Sequence, residues 1–231
     1  MTSAYADSPS EVVAPLGVYA PQHDSEMLIG VLRETGLAPG RRIADLCTGS
    51  GVVAIGAALA GAADVTAFDV SEHAARCARA NAQNAGVDVE VRHGTWSVAV
   101  EYGPFDVVTC NPPYVPQPPW DDVDAVPLHA GPPIAYDAGS DGRSILDPLC
   151  ARAPELIGED GTLLLVHSEF SNTGASLAAL RECGLKASVV ARQWIPFGPV
   201  LTARAGWLER TGLLERGRRM EELVVIRADA P

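Results

Sequence analysis

Four consecutive residues, Asn111-Pro112-Pro113-Tyr114, carry the chemistry most readily named in this 231-residue chain. The Asn111 side chain offers a carbonyl acceptor, and Pro112 offers a backbone carbonyl with no competing N–H of its own. An incoming NH2 group has two protons to give, so the two acceptors together fix its plane and aim its nitrogen. That restraint matters for an amide or aromatic amine, whose lone pair is delocalised and attacks only when held about 3 to 3.5 Å from an electrophile. Tyr114 can then pack on the flat face of the acceptor. The same residue types also close strands as ordinary turns, so the chemistry needs support from elsewhere in the chain.

Support comes from upstream. The run Arg41-Arg42-Ile43-Ala44-Asp45-Leu46-Cys47-Thr48-Gly49-Ser50-Gly51 reads as a short apolar strand entering a glycine turn, and Val52-Val53-Ala54-Ile55 begins an Ala-rich helix. Backbone can approach a ligand closely there, and a helix N-terminus can face it. Val65-Thr66-Ala67-Phe68-Asp69-Val70 is a second strand ending in an acid, placed to accept both hydroxyls of a ribose. Taken alone, this half also satisfies a dinucleotide fingerprint, with Asp69 about 20 residues beyond the glycines, as an NAD site requires.

These groups need a frame. Strands predicted near 41–46, 64–69, 88–92, 105–110 and 161–167 alternate with helices near 51–60, 71–85, 143–157 and 173–183, which implies a parallel-rich sheet covered on both faces. A leading helix from Asp24 to Glu34 is expected to be capped by Asp24 or Ser25, and Ser71 should cap the helix that follows it. Last strands near 186–192 and 221–227 close the sheet. Residues 1–15 read as a flexible tail and 16–231 as one domain.

Two irregular stretches stand out, because long loops in compact domains are usually lids or binding loops. Residues 115–142 follow the Asn-Pro-Pro-Tyr site, are rich in proline, and are placed to wall an acceptor pocket. Residues 193–219 carry Trp194, Phe197 and Trp207, and read either as a substrate flap or as a covering helix with its aromatics in the core. The arginines Arg204, Arg210, Arg216, Arg218 and Arg219 read either as a basic rim or, preferred here, as a salt-bridged face with Glu209 and Glu215.

Composition excludes several classes. Hydrophobic content of 47% and charged content of 20% fit a globular chain. Apolar runs such as Val52 to Ala63 are broken by glycine and too short to cross a bilayer, and the polar start from Met1 to Ser10 lacks a signal-peptide core. Five cysteines with no C-x-x-C pair fit free thiols in a reducing cytoplasm. The five histidines make no ligand-spaced cluster, so no metal is expected. A net charge of −12 lacks the field needed to hold duplex nucleic acid.

The order of glycine turn, strand-end Asp69 and Asn111-Pro112-Pro113-Tyr114 after the fourth strand resembles the class I S-adenosylmethionine-dependent N-methyltransferases. Within them it resembles the HemK family of protein glutamine methyltransferases. Val18-Tyr19-Ala20-Pro21-Gln22-His23-Asp24-Ser25 is similar to that family's opening segment. Ala135-Tyr136-Asp137-Ala138-Gly139-Ser140-Asp141-Gly142 is similar to a loop of the family, and Glu221-Glu222-Leu223-Val224-Val225-Ile226-Arg227 to its last strand. The likeness runs from about residue 18 to 228 and is greater to the short branch, which lacks an N-terminal helical domain. Two positions depart from the pattern. Cys47 stands where glycine is usual, which requires a negative φ or tolerated strain. Thr95-Trp96 stand where an acid commonly meets the adenine amine, leaving adenine to backbone groups, the Thr95 hydroxyl or stacking on Trp96.

The resemblance implies a Rossmann-like seven-stranded sheet, mostly parallel with an antiparallel C-terminal edge pair. It implies S-adenosylmethionine as cofactor and S-adenosylhomocysteine as product. Tyr19, Pro21 and Ser25 would cover the cofactor and contact its carboxylate, Gly49 and Gly51 would admit its methionine part, and Asp45 would organise that loop. Cys47, Thr48, Asp69, Val70, Thr95, Trp96 and Asn111 complete the set. Asn111, Pro112 and Tyr114 would hold the acceptor for direct transfer. The implied substrate is the glutamine of the Gly-Gly-Gln loop in release factors, with a small zinc-binding activator as a possible subunit. An adenine amine, a lysine or a small amine remain alternative acceptors. An NAD-dependent oxidoreductase would use the same glycine turn but lacks a recognisable catalytic Tyr/Lys, His or metal set. A catalytically idle scaffold would account for Cys47 and Thr95.

Overall fold

Apolar β-prone runs separated by Ala-rich helical ones bury two faces of a sheet, so the strands show little polar alternation. The structure, a computed structural model, describes residues 12–119 and 125–231, and its strands form one seven-stranded sheet. In chain order they are β1 (Arg42–Leu46), β2 (Asp64–Asp69), β3 (Glu90–His93), β4 (Phe105–Cys110), β5 (Ile157–Ser168), β6 (Lys186–Pro196) and β7 (Met220–Asp229). Across the sheet the order is β3-β2-β1-β4-β5-β7-β6. β1 to β5 pair in parallel, and β7 runs antiparallel between β5 and β6. The expected Rossmann-like sheet with its antiparallel C-terminal pair is the one observed.

The chain steps outward from β1 to β2 and β3, then returns to the other side of β1 for β4 and β5. Right-handed crossovers put the connecting helices of the two halves on opposite faces. Thus α2 (Val52–Leu59) and α3 (Glu72–Asn84) form one layer with α1 (His23–Glu34), and α4 (Leu146–Leu156) packs with α5 (Thr173–Glu182) in the other. The reversal between β1 and β4 opens a crevice at the carboxyl ends of the strands. Among the polar residues buried in the strands are Asp45 of β1 and Thr109 of β4. They face each other in register, and the Thr109 hydroxyl donates to Asp45 Oδ1 at 2.7 Å.

Several local expectations shift. Ser71 caps α3 by accepting from the Ala74 N–H, as its sequence position predicts. α1 instead begins after Gln22 with no side-chain cap, because the Asp24 side chain is occupied elsewhere, as described below. β5 starts at Ile157 rather than 161, with a register irregularity against β4. β6 extends to Pro196, and the 12-residue α6 (Pro199–Arg210) forms a helix within the stretch left open between flap and helix. Its Trp207 is buried and Phe197 meets Phe170 edge-on, whereas Trp194 is half exposed. Of the segment read as a flexible tail, residues 1–11 lie outside the described residues, while Val13 exchanges hydrogen bonds with the Asn81 side chain of α3.

The turn after β1 holds Cys47 at φ 57°, the left-handed region that favours glycine. Tolerated strain is therefore the alternative realised at this position. Replacing Cys47 by valine, whose branched Cβ fits that region worst, is expected to lower stability by about 1–2 kcal/mol. Cys47→Gly should lose none of that, and denaturant unfolding of the two variants checks the difference.

Candidate active site

A cavity of about 520 Å³ opens at the carboxyl ends of the central strands. One arm is built by the glycine turn. The Asp69 carboxylate ends β2 and accepts the Gly49 N–H and the Ser71 N–H through different oxygens, both at 2.8 Å. Each oxygen keeps a further lone pair for a ligand hydroxyl. Burial raises the Asp69 pKa, opposed by those two N–H groups. Asp45 lies deeper and receives hydroxyls from Thr48 at 2.6 Å and Thr109 at 2.7 Å, so it pins the turn to β4. Burial pushes its pKa up to about 6.

Gly49 has φ +56° and open space where a Cβ would be, as close approach of a ligand requires. Gly51, expected to serve the same end, does something different. It has φ +86°, and a Cβ there would stand 3.0 Å from the Ala78 Cβ, so its bareness lets α2 pack on α3. Of the predicted site residues it is the one that does not line the cavity. Cys47, Thr48, Val70, Tyr19 and Pro21 do.

At the far end of this arm, Trp96 lines the cavity half-buried, with the Arg152 guanidinium 5.7 Å from its ring centroid. The Thr95 hydroxyl pairs with Ser97 at 2.7 Å. Of the three options read from sequence, ring stacking on Trp96 is thus the best provided for.

The other arm is built by the Asn-Pro-Pro-Tyr turn, held from two sides. From α1, the Ser25 hydroxyl receives Asn111 Nδ2 at 3.3 Å, and Asp24 Oδ1 receives the Ser25 N–H at 2.7 Å. Asp24 Oδ2 receives the Tyr114 hydroxyl at 3.1 Å, and the Tyr19 hydroxyl also bonds to Asp24. The amide of Asn111 is thereby fixed with its nitrogen toward α1 and its carbonyl directed away. Burial foremost, then the Asp24 charge, pushes the Tyr114 phenol well above its usual range, keeping it a neutral donor.

From the opposite side, the Ser171 hydroxyl donates to the Tyr114 carbonyl at 2.5 Å. A Cβ on Gly142 would come within 2.5 Å of that carbonyl, which explains a glycine at φ +73° in this loop. Arg204 donates to the Pro116 carbonyl at 2.8 Å and pairs with Asp137. Arg204 is buried, so it belongs neither to a basic rim nor to a pairing with Glu209 or Glu215. Arg219 does pair with Glu209, and Arg218 with Glu169, each at 2.6 Å. Pro132, Ile134 and Tyr136 of the 115–142 stretch line the cavity, as expected of a pocket wall; residues 120–124 lie outside the described residues.

Residues 11–125, from the N-terminal segment to beyond the Asn-Pro-Pro-Tyr turn, match the methyltransferase small domain family. A Deinococcus radiodurans release factor glutamine methyltransferase is 34% identical over 171 residues, 73% of this chain and 60% of that relative. The chain belongs to the HemK-like methyltransferases. A Methanocaldococcus jannaschii chain, described as a candidate protein N5-glutamine methyltransferase, is 27% identical over 188 residues, 81% of this chain and 91% of its own length. The E. cuniculi Mtq2–Trm112 complex, described as responsible for methylating the eRF1 translation termination factor, shares the fold. Its TM-score is 0.61 at 21% identity, over 93% of this chain and 99% of that one. The HemK-like chain spans about three-fifths of the bacterial relative's length, and the oxidoreductase reading of its glycine turn falls with this assignment.

Two site residues of this HemK-like chain escape sequence reasoning. Asp24 reads as a helix cap. Glu221 reads as one of two acids opening the last strand, although its phase with Leu223 and Val225 marks it as inward-facing. It is 5% exposed and lines the cavity on the Tyr114 side. Burial first, then the charges of Asp24 and Glu169, push its pKa from the usual 4.5 to about 7. Between those values the native state keeps a proton that the unfolded chain has released, so the group lowers stability as pH rises through the window. Glu221→Gln is expected to gain stability relative to wild type at pH 8 and not at pH 4, by about 1.4 kcal/mol per pH unit separating the two pKa values. Denaturant melts at the two pH values test this.

Proposed function

We propose that the protein methylates the side-chain amide nitrogen of a glutamine in a protein substrate, the Gly-Gly-Gln loop of a peptide-chain release factor. The observation that carries the reading is the fixed Asn111 amide. With Nδ2 tied to Ser25, its carbonyl is left free to join that of Pro112 as the second of two acceptors for one NH2 group. Neither acceptor has a proton to offer, so the pair selects a donor with two hydrogens and holds its plane.

The first arm suits S-adenosylmethionine. Asp69 retains acceptor capacity for the ribose hydroxyls, Gly49 leaves room for close approach, and Trp96 offers a flat face to the adenine. When bound, that cofactor supplies a methyl group activated by the positive sulfonium. The chain's own contribution is orientation, and placing reactants as if within one molecule is worth about 7–11 kcal/mol. Asn111 and Pro112 also raise electron density at the acceptor nitrogen as charge develops. A cytoplasmic setting and a small zinc-binding activator subunit accord with the same reading. No described helix is long and apolar enough to cross a membrane.

Asn111→Ala should reduce turnover by about 100-fold or more through lost orientation, with cofactor affinity kept. Near-full activity would overturn the clamp. Asp69→Ala should weaken cofactor binding by about 1.5–3 kcal/mol, the worth of a hydrogen bond to a charged group, as read by calorimetry. The function itself is tested by transfer of labelled methyl to a purified release factor beside a copy whose loop glutamine is alanine. Label on the first alone supports the reading; label on neither, with the activator present, overturns it.

A further inference from the structure

Glu221 has no part in the clamp or the cofactor arm, yet it is the least satisfied buried charge beside the cavity. The Ser168 hydroxyl bonds to its carboxyl, and Oε2 has no hydrogen-bond partner among the described residues. The nearby side chains direct their bonds elsewhere, and the one open donor among them, Arg218 Nε, makes no bond to Glu221. Tyr19 and Tyr114 give their hydroxyls to Asp24, and Arg218 gives both terminal nitrogens to Glu169. A buried carboxyl oxygen left without a donor carries an uncompensated desolvation cost, so a donor arriving with a ligand would offset that cost.

Position selects the ligand. Asp69 stands on β2 and Glu221 on β7, four strands apart, about 19 Å at ordinary strand spacing. Asn111 follows β4, between them. Glu221 therefore lies on the acceptor side of the transfer point, next to Tyr114 and Phe197 in the cavity lining.

We propose that Glu221 is a positioning residue for the acceptor, its open carboxylate oxygen receiving a main-chain N–H of the substrate peptide next to the amide held by Asn111 and Pro112. The inference rests on the glutamine methyltransferase reading. Small residues beside the methylated glutamine suit it, since a main chain without bulky side chains can enter far enough to reach a buried oxygen.

The test is steady-state methylation of a purified release factor, with the activator present, by wild type, Glu221→Ala and Glu221→Gln between pH 6 and 9. Glu221→Ala should raise KM for the release factor about ten- to a hundredfold, the loss of one charge-assisted hydrogen bond, with kcat and cofactor affinity within about twofold. Glu221→Gln still presents a carbonyl acceptor but no charge, so it should recover only part of that loss and match wild type at pH 6, where the carboxyl is protonated. In wild type, KM should fall as pH rises through about 7, where Glu221 ionises, and in Glu221→Gln it should be flat. Tyr19 and Tyr114 remain neutral there, since burial holds both phenols well above their usual range. Asp24, Glu169 and Arg218 are the other charged groups acting on Glu221, and all are retained in both variants. An unchanged KM in Glu221→Ala, or a defect carried by kcat or cofactor affinity, overturns the inference while leaving glutamine methylation standing. Absence of labelling by wild type overturns both.

Discussion

The arrangement depends on one buried side chain, Asp24. It is 3% exposed and takes the Ser25 N–H, the Ser25 hydroxyl and the Tyr114 hydroxyl, with the Tyr19 hydroxyl beside them. A carboxyl group buried this deeply persists because its lone pairs are met by donors. Those donors come from three places: the N-terminal segment, the first turn of α1 and the turn after β4. One side chain thus registers the N-terminal segment against the Asn-Pro-Pro-Tyr turn. Ser25 passes the constraint on, since the hydroxyl that meets Asp24 also receives Asn111 Nδ2. Without it an asparagine amide can rotate, presenting donor or acceptor without preference, and the geometry that distinguishes an NH2 acceptor is lost.

The opposing brace is made of backbone carbonyls rather than charges. Arg204 reaches the Pro116 carbonyl and Ser171 the Tyr114 carbonyl, while Arg143 donates to the carbonyls of Ser171 and Asn172. Proline supplies no N–H for a ladder, so the stretch Asn111–Pro116, with three prolines, keeps only an isolated bridge, Val115 with Asp137. Side-chain donors from α6 and from the segment after β5 add to that bridge, and Arg143, just before α4, holds the second of them in place. This is how a functional group is kept within the narrow tolerance that orientation-driven catalysis requires.

The sequence shows some of these devices plainly and hides others. Strand-to-helix alternation, the Ser71 cap, the open φ of Gly49 and the placement of Asp69 at a strand end are all local, so propensity and spacing reach them. Asp24, Arg204 and Glu221 are read from sequence as a cap, a surface charge and an acid opening the last strand, because their partners lie 90, 67 and more than 50 residues away. Gly51 shows the same limit from the other side. Its positive φ is local and legible, but its reason, the approach of Ala78 from α3, is tertiary. Cys47 is a departure whose contacts are tertiary too: the turn keeps its left-handed shape without the glycine that would make it free of strain, and the Cys47 side chain bonds to Cys110 of β4.

Two buried carboxyls line the same cavity with pKa values pushed upward by burial, Asp45 to about 6 and Glu221 to about 7. The similarity of their shifts conceals a difference in kind. Asp45 has a hydroxyl donor on each oxygen, both from its own fold, and lies in register opposite one of them. Its charge is consumed in joining the glycine turn to β4, so nothing remains for a ligand to complete. Glu221 has one donor and one open oxygen, and the nearest cation is already paired. Desolvation therefore makes scaffold of a carboxyl whose partners are internal and makes a receptor of one whose partner is missing. By that criterion the cofactor arm is finished on folding, while the acceptor arm is completed by its substrate.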